Sequence, residues 1–319
     1  MSIPIPPSSG SAAVQAADPM GVDDIAGVGL WRGAMRRLVR NPTAIFGAVI
    51  VSGFILVAIC APLLTPYQPG TAEWANRVST NHVPWRDGEH FLGLDRWGSD
   101  LWTQLVYGAR QSLVYGVVST LIGLIVGTTL GALAGGFSAL GGRAGAWVDT
   151  VIMRVVDIML SIPSLLLAVS IVAVLGQNAY AVMIAIGMAQ VPIFARLLRG
   201  SMLSQGKSDY VLAASALGLR KRKIVMGHVL PNSIGPTIVQ ATLNLATAII
   251  EVAALSYLGL GEADPAVAEW GRMLVSAQER FDSAPRLALI PGFAIAICAL
   301  GFTLLGESMR EALDPRGRR

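Results

Sequence analysis

The sequence predicts an all-α, polytopic membrane protein with six transmembrane helices and a further helix that protrudes into the cytoplasm. Of its 319 residues, 53% are hydrophobic and only 14% are charged, which is far from the balance of a soluble globular domain. A bilayer core of about 30 Å needs about 20 apolar residues per helix, and six runs of that size are present. Lipid offers no hydrogen-bond partner, so these spans must satisfy their backbones as helices.

The spans and the segments between them define the predicted organisation. The spans are expected to begin near Thr43, Ser112, Ile158, Ala179, Ile234 and Leu287. The long connecting segments are 66–111 and 261–286 outside, and 196–233 inside. The membrane domain, 43–306, lies between a polar tail of residues 1–42 and a short tail of 307–319. The first tail lacks an apolar core followed by a small-residue cleavage site, so the first span is expected to be an anchor.

The basic residues predict the orientation. With the N-terminus in the cytoplasm, 17 of the 24 Lys and Arg residues fall on the cytoplasmic side, as the positive-inside rule requires. Both termini are therefore predicted to be cytoplasmic. The net charge of +4 is explained by this orientation and by anionic lipid headgroups, without a nucleic-acid partner.

The most distinctive segment is a polar, basic stretch, 209–232, between the fourth and fifth spans. Ser208 as N-cap, Asp209 at the positive helix end and Gly218 as a stop predict a helix of roughly three turns. The residues expected to make partner contacts are Asp209, Tyr210, Ala213, Ala214, Gly218, Leu230 and Pro231. From local features alone, a surface helix with its basic run, 220–223, beside lipid headgroups is an equal alternative.

The order of this motif resembles a known loop. An Ala213-Ala214 pair, then Gly218, then Leu230-Pro231 is similar to the loop through which permease subunits of ABC importers grip their ATPases. The family's motif places Glu before the two alanines, whereas this chain has Leu212. Any salt bridge made by that Glu is therefore an open question here.

The resemblance covers most of the chain and is closest to the C-type permease of dipeptide, oligopeptide and nickel importers. The matching segments are Arg40–Pro42, Ala61-Pro62, Pro66-Tyr67, His90–Asp95, Tyr107–Arg110, Met153-Arg154 with Asp157, Leu255–Gly261, Trp270-Gly271, Met273-Leu274 and Ala312–Arg316. Three external positions depart from the family: Leu94 stands where Thr is common, and Ser99 and Gln104 stand where Arg is common.

The resemblance implies a transporter of several subunits in a bacterial inner membrane. It implies a second permease, two cytoplasmic ATPase subunits that bind ATP and Mg, and an external solute-binding protein. This chain would be a non-catalytic half of the path and would hold no cofactor itself. Peptide is the favoured cargo, with dipeptides, longer peptides, glutathione-like compounds and nickel chelates all open.

A glycine series marks one helix face. Gly123, Gly127, Gly131 and Gly135 recur every four residues in the second span, which places them on nearly one face. Small residues let helix backbones approach closely, so tight packing is predicted there. The partner is either another helix of this chain, which is favoured, or a second subunit.

Two carboxylates lie within or beside the apolar runs. Glu251 is deep in the fifth span, where an unpaired charge costs at least ~2.5 kcal/mol. It either lies near the translocation path or subunit interface, or is satisfied by a nearby Ser or Thr. Asp157 is explained by an ordinary i, i+3 pair with Arg154.

The sequence lacks the motifs expected of a nucleotide-binding protein, a secondary transporter or a hydrolytic enzyme. Gly206–Ser208 invites a phosphate-loop interpretation, but the required first glycine position holds Ser201. No clear internal repeat supports the main rival from another class, a secondary transporter. No arrangement of Ser, His and carboxylate indicates nucleophilic catalysis.

The remaining candidate ligands do not predict a metal site. His82 and His90 are both external, but two histidines without a third arranged ligand are weak support for a metal, and solvated side chains are expected. Cys60 and Cys298 sit in apolar runs and are expected to pack as small hydrophobes.

Overall fold

The computed structural model describes residues 30–79, 82–85, 88–264 and 266–313. Residues 1–29 of the predicted N-terminal tail and 314–319 of the C-terminal tail lie outside these ranges. The helices are α1 (Leu30–Leu38), α2 (Pro42–Ile59), α3 (Ala61–Leu64), α4 (Leu101–Leu140), α5 (Gly142–Ser161), α6 (Ser164–Leu175), α7 (Ala179–Gln205), α8 (Asp209–Ala216), α9 (Lys221–Ile224), α10 (Leu230–Ser233), α11 (Gly235–Tyr257), α12 (Trp270–Gln278) and α13 (Arg286–Leu313). A π-helical turn, Val225–Val229, joins α9 to α10, and Ala75–Arg77 form a 3₁₀ turn.

The all-α membrane fold is confirmed. Within the described ranges, five helical stretches are long and apolar enough to cross a bilayer: α2, α4, α7, Lys221–Tyr257 and α13. The bent pair of α5 and α6 supplies a sixth if the two helices count as one span. Extended structure in the same ranges is limited to isolated bridges, Ser79 with His82 and Leu94 with Asp100.

The third span is not the continuous helix that was expected to begin near Ile158. Its chain breaks at Ile162-Pro163, and α5 and α6 meet there at 96°. A proline disfavours helical backbone in the residue before it, and Ile162 is accordingly extended, with φ −97° and ψ 129°. Hydropathy cannot show this break because the apolar run continues through it.

Other boundaries also differ from expectation. α4 begins at Leu101 rather than near Ser112, because the Asp100 side chain accepts a hydrogen bond from the Thr103 N–H at 2.7 Å and caps the helix early. The predicted external loop 66–111 therefore ends in helix. The second predicted external segment contains α12, the predicted N-terminal tail contains α1, and α13 runs past residue 306 to Leu313.

α4 and α7 pack with their backbones in contact along the glycine face of α4. A Cβ added at Gly127 would lie 2.6 Å from the Val191 carbonyl oxygen, and one at Gly131 would lie 2.5 Å from the Ala195 carbonyl oxygen. At Gly123 the nearest carbonyl, that of Gly187, would be 2.8 Å away. The structure thus places this face against a helix of the same chain, with Gly135 meeting Met202 and Arg199.

The two ends of the bundle carry different segments. At one end, called the α12 end, Trp270 of α12 is fully buried and donates from Nε1 to the Leu105 carbonyl at 3.0 Å. Arg286, at the start of α13, donates there to the Pro84 carbonyl at 2.7 Å. At the opposite end, called the α8 end, Ala214 of α8 joins a core with the last turns of α4 and α7. α12 thus contacts α4 at one end of the bundle, and α8 contacts α4 and α7 at the other end.

We predict that Gly131→Val destabilises the subunit by about 1–3 kcal/mol, because a side chain there must displace the α7 backbone. The unfolding midpoint of the purified protein in detergent is expected to fall by roughly 3–10 °C.

Gly53→Val is the matched control, since Gly53 lies in membrane helix α2 and a Cβ there meets nothing within 4 Å. Equal midpoints for the two variants would show that the α4–α7 contact is looser than its geometry indicates.

Candidate functional site

The connection between α7 and α11 carries the helix that the sequence singled out. α8 spans eight residues, Asp209–Ala216, so it has about two turns rather than three. Ser208 has the extended backbone of an N-cap, but its hydroxyl donates to the Gln205 carbonyl at 2.6 Å and does not cap α8. α8 is therefore held at its start by the preceding turn.

The C-terminal end of α8 is a Schellman motif. Gly218 has a φ of +76°, which a residue with a Cβ adopts at a cost. The Gly218 N–H donates to the Ser215 carbonyl at 3.0 Å, and the Leu219 N–H donates to the Ala214 carbonyl at 3.2 Å. The predicted stop at Gly218 thus acts through its backbone and turns the chain towards α9.

α8 has one face towards the protein and one towards solvent. Ala214 is 9% exposed and packs in the α8-end core with Val211 and Leu219. Tyr210, Ala213 and Leu217 form a stripe at helical spacing that runs beside Ala214, and Leu217 is 82% exposed. The sequence grouped Ala214 with the contact residues, but the structure turns it towards its own chain.

Leu230 and Pro231 form the last part of the connection. Both lie within the helical stretch that leads into α11, directly after the π turn. Leu230 packs against the α8-end core, which also contains Ala214 of α8. The four basic residues, 220–223, are exposed beside this core.

Two ion pairs join α5 to α7. The Arg199 guanidinium donates from Nε and Nη2 to the two carboxylate oxygens of Asp149, at 2.5 and 2.7 Å. Arg196 donates to Asp157 Oδ1 at 2.5 Å. The pairing of Asp157 with Arg154 predicted from the sequence is therefore wrong, because the partner comes from a helix 39 residues away. Sequence spacing could suggest only a local partner.

Glu251 of α11 lies at the elbow between α5 and α6. Its Oε1 accepts a hydrogen bond from the Ser164 hydroxyl at 2.7 Å, and Ser164 is the first residue of α6. Its Oε2 is buried without a hydrogen-bond partner among the described residues. A serine thus satisfies one oxygen, as one of the two interpretations of the sequence anticipated, and leaves the other available.

The segment between α3 and α4, which was predicted to be external, is fixed to α4 by a chain of buried polar side chains. Asp100 Oδ1 bonds His90 Nδ1 at 2.9 Å, and Asp100 Oδ2 accepts from the Thr103 hydroxyl at 2.7 Å. Thr103 Oγ1 in turn lies 2.5 Å from Thr65 Oγ1. His90 is fully buried, so the expectation of a solvated external histidine is wrong for it, whereas His82 is exposed.

A pocket of about 410 Å³ lies at the α12 end between the two segments that were predicted to be external. Its lining includes Asp95, Arg96, Gln104, Glu269 and Arg272. Burial raises the pKa of the Asp95 and Glu269 carboxyls, although backbone N–H groups at each carboxylate oppose the shift. This pocket was not anticipated from the sequence, because its residues come from segments more than 150 positions apart.

Comparisons with known proteins agree with this architecture. The model of the binding-protein-dependent transport system inner membrane component matches residues 127–319, and that of the N-terminal TM domain of oligopeptide transport permease C matches residues 29–84. This chain belongs to the family of binding-protein-dependent transport system inner membrane components. It is a multi-pass membrane permease of a bacterial ABC importer, as the resemblance in its sequence implied.

Individual relatives cover nearly the whole chain. A dipeptide transport system permease protein, DppC, from Alkalihalophilus pseudofirmus is 43% identical over 92% of each chain. A glutathione transport system permease protein, GsiD, from Pectobacterium atrosepticum is 36% identical over 90% of this chain and 91% of that one. An inward-facing MetNI methionine ABC transporter shares the fold, with a TM-score of 0.53 at 21% identity, over 67% of this chain and 98% of that one.

We predict that Gly218→Ala loosens the end of α8 at a cost of about 1–2 kcal/mol, because alanine resists the left-handed conformation. Trypsin should then cut the exposed basic run, 220–223, several times faster in the detergent-purified permease. The matched control is Gly227→Ala, a glycine of the same connection without a positive φ and with open space at its Cβ. Equal cleavage rates for the two variants would contradict the role assigned to Gly218.

Proposed function

We propose that this chain forms one half of an ATP-driven import path for peptides and receives the motion of two cytoplasmic ATPase subunits through α8. The single observation that carries this proposal is the construction of α8. One face is exposed and apolar, while the other is packed into the ends of α4 and α7. A partner pressing on such a helix moves the membrane helices beneath it.

The proposed orientation places the α8 end in the cytoplasm and the α12 end outside. α1, the start of α2 and the last turns of α13 lie at the α8 end, so both termini share one side of the membrane in this proposal. The exposed run 220–223 adds to the positive charge of that side, in keeping with the positive-inside rule. ATP and Mg are then handled by separate subunits, and this chain acts without catalysis.

The proposed contact surface for the ATPase is the stripe of Tyr210, Ala213 and Leu217, with Asp209 at its start. An 82% exposed leucine on a water-facing helix is what a partner's apolar groove would cover. Ala214 and Gly218 support this stripe from within: the alanine anchors the base, and the glycine ends the helix. Their small size therefore serves the seating of α8 on its own protein.

The proposed path runs past the elbow between α5 and α6. Ser161, Ile162, Pro163 and Ser164 are all exposed on this subunit, and their backbone is not continuous helix. Lipid tolerates broken helix only where protein or a water-filled cavity covers it. The elbow and the carboxylate of Glu251 beside it are thus assigned to the path or to the interface with a second permease.

Peptide is the proposed cargo because the most similar relatives named above are permeases of dipeptide and glutathione systems. Both are short peptides or peptide-like compounds. The test is uptake of a radiolabelled dipeptide into liposomes that contain this chain with its cognate permease, ATPases and solute-binding protein. Uptake that requires ATP and the binding protein is expected; uptake by this chain alone, driven by an ion gradient, would instead establish a secondary transporter.

We predict that Leu217→Glu lowers ATP-driven dipeptide uptake at least about tenfold while the protein still inserts in the membrane, because the change lies on an exposed position. Leu217→Met keeps the apolar bulk and should retain most of the uptake. Full uptake by the Leu217→Glu transporter would refute the assigned contact. A charge at buried Ala214 is less informative, since it would also disrupt the core below α8.

We also predict that Glu251→Leu lowers uptake about tenfold or more, because it removes the carboxylate from the elbow and leaves the Ser164 hydroxyl without its acceptor. Ser164→Ala removes only the hydrogen bond and should have a smaller effect. Both variants are compared at equal amounts of assembled transporter, measured after purification. Normal uptake by Glu251→Leu would exclude Glu251 from the path.

A further inference from the structure

The pocket at the α12 end contains two acids whose hydrogen-bonding capacity is used internally. Asp95 Oδ1 accepts from the Trp97 and Ser99 N–H groups at 2.8 Å each, and its Oδ2 accepts from the Gln104 amide at 2.5 Å. Glu269 accepts from the first N–H groups of α12, at 2.8 and 3.0 Å. Asp95 is 4% exposed and Glu269 is 2% exposed. These carboxylates therefore build the walls of the pocket and are not free to bind a ligand.

The guanidinium groups of Arg96 and Arg272 line the same pocket, and their hydrogen-bonding capacity is less completely used than that of the two acids. Arg96 Nε is buried without a hydrogen-bond partner among the described residues, an arrangement that costs free energy unless something binds it. Arg272 donates to the backbone carbonyls of Asp264 and Val267, which fixes its position in the wall. The planar donors of a guanidinium are suited to a carboxylate.

Arg96 already forms an ion pair within this chain. Glu279 places Oε2 at 2.5 Å from Arg96 Nη1, yet the Glu279 side chain is 74% exposed whereas that of Arg96 is only 15% exposed. An ion pair with an exposed partner contributes little free energy, since water and salt compete for the mobile carboxylate. An incoming carboxylate held by a second protein can therefore displace Glu279.

The surroundings of the pocket favour a protein as the source of that carboxylate. The Arg96 guanidinium stacks on Trp97 at 4.2 Å from the ring centroid, and Trp97 is 55% exposed. Phe281, a short way beyond Glu279, is 54% exposed. Arginine and exposed aromatic rings around a pocket are typical anchors of protein interfaces.

The geometry points to a docking socket in which Arg96 and Arg272 bind an acidic side chain of the solute-binding protein, in exchange for Glu279. This inference rests on the proposed function, because it places the α12 end outside. Ser99 and Gln104, two of the positions that depart from the family pattern, line the same pocket.

The experiment measures ATPase activity of the reconstituted transporter against the concentration of dipeptide-loaded binding protein. Arg96→Gln should raise the half-maximal concentration about tenfold and leave the maximal rate unchanged, since it removes a charge-assisted contact. Arg96→Lys should fall between the wild type and Arg96→Gln, because lysine keeps the charge but loses the planar donors and the stacking on Trp97. Glu279→Gln should lower the half-maximal concentration, because the internal competitor loses its charge.

The control is Arg77→Gln, which removes an exposed arginine of the same external segment that pairs with Glu89 and does not line the pocket. Its half-maximal concentration should match that of the wild type. The socket is overturned if Arg96→Gln behaves like this control. Glu279→Gln without any gain in affinity would also overturn it.

Two further outcomes show whether the carboxylate comes from the binding protein or from the cargo, and whether the socket or the proposed function has failed. If the Arg96 variants change only the dependence on peptide at saturating binding protein, the carboxylate belongs to the cargo and the docking role is wrong. A wild-type transporter without ATP-driven uptake would refute the proposed function itself. A working transporter that is insensitive to Arg96 would refute the socket alone.

Discussion

The close approach of α4 and α7 supports almost every other feature of this permease. Along their contact, glycines of α4 meet backbone carbonyls of α7, which no side chain could permit. In a bilayer, where apolar surface gains little by leaving lipid, such van der Waals contact is what holds helices together. The two helices therefore form a rigid unit that reaches from one end of the bundle to the other.

The segments at the α12 end and at the α8 end are both attached to the unit of α4 and α7. At the α12 end, α12 is fixed to α4 by buried Trp270, whose ring a side chain at Gly108 would strike at 2.8 Å. At the α8 end, the base of α8 packs on the last turns of the same two helices. A 40-residue helix is about 60 Å long, twice the thickness of the hydrocarbon core, so α4 itself spans the distance between these ends.

Polar groups along α5, α6 and α7 find their partners on other helices. Arg196 and Arg199 of α7 each meet a carboxylate of α5, which anchors the first half of the bent pair to the rigid unit. The second half, α6, begins at Ser164 with Glu251 beside it. The elbow between them is thus fixed on one side and polar on the other, an arrangement that needs protein or water as its neighbour.

Several features of the α8 connection could be predicted from the order of its residues. Gly218 predicted the helix stop because its φ is a local property of the chain, and the order of small residues predicted the family. The face of Ala214 could not be predicted, because an eight-residue helix has no long periodic pattern to show which side is buried. Likewise, the partner of Asp157 was assigned to Arg154, since sequence spacing reveals only neighbours on the same helix.

The sequence by itself determined the fold class, most of the spans, the family and the place of the α8 connection, because hydropathy, turn residues and motif order are local and lipid admits few spanning structures. Only the tertiary structure decided the elbow at Ile162-Pro163, the ion pairs between α5 and α7, and the pocket that joins Asp95 and Arg96 to Glu269 and Arg272. Each depends on which helices lie side by side, and that follows from packing of the whole bundle.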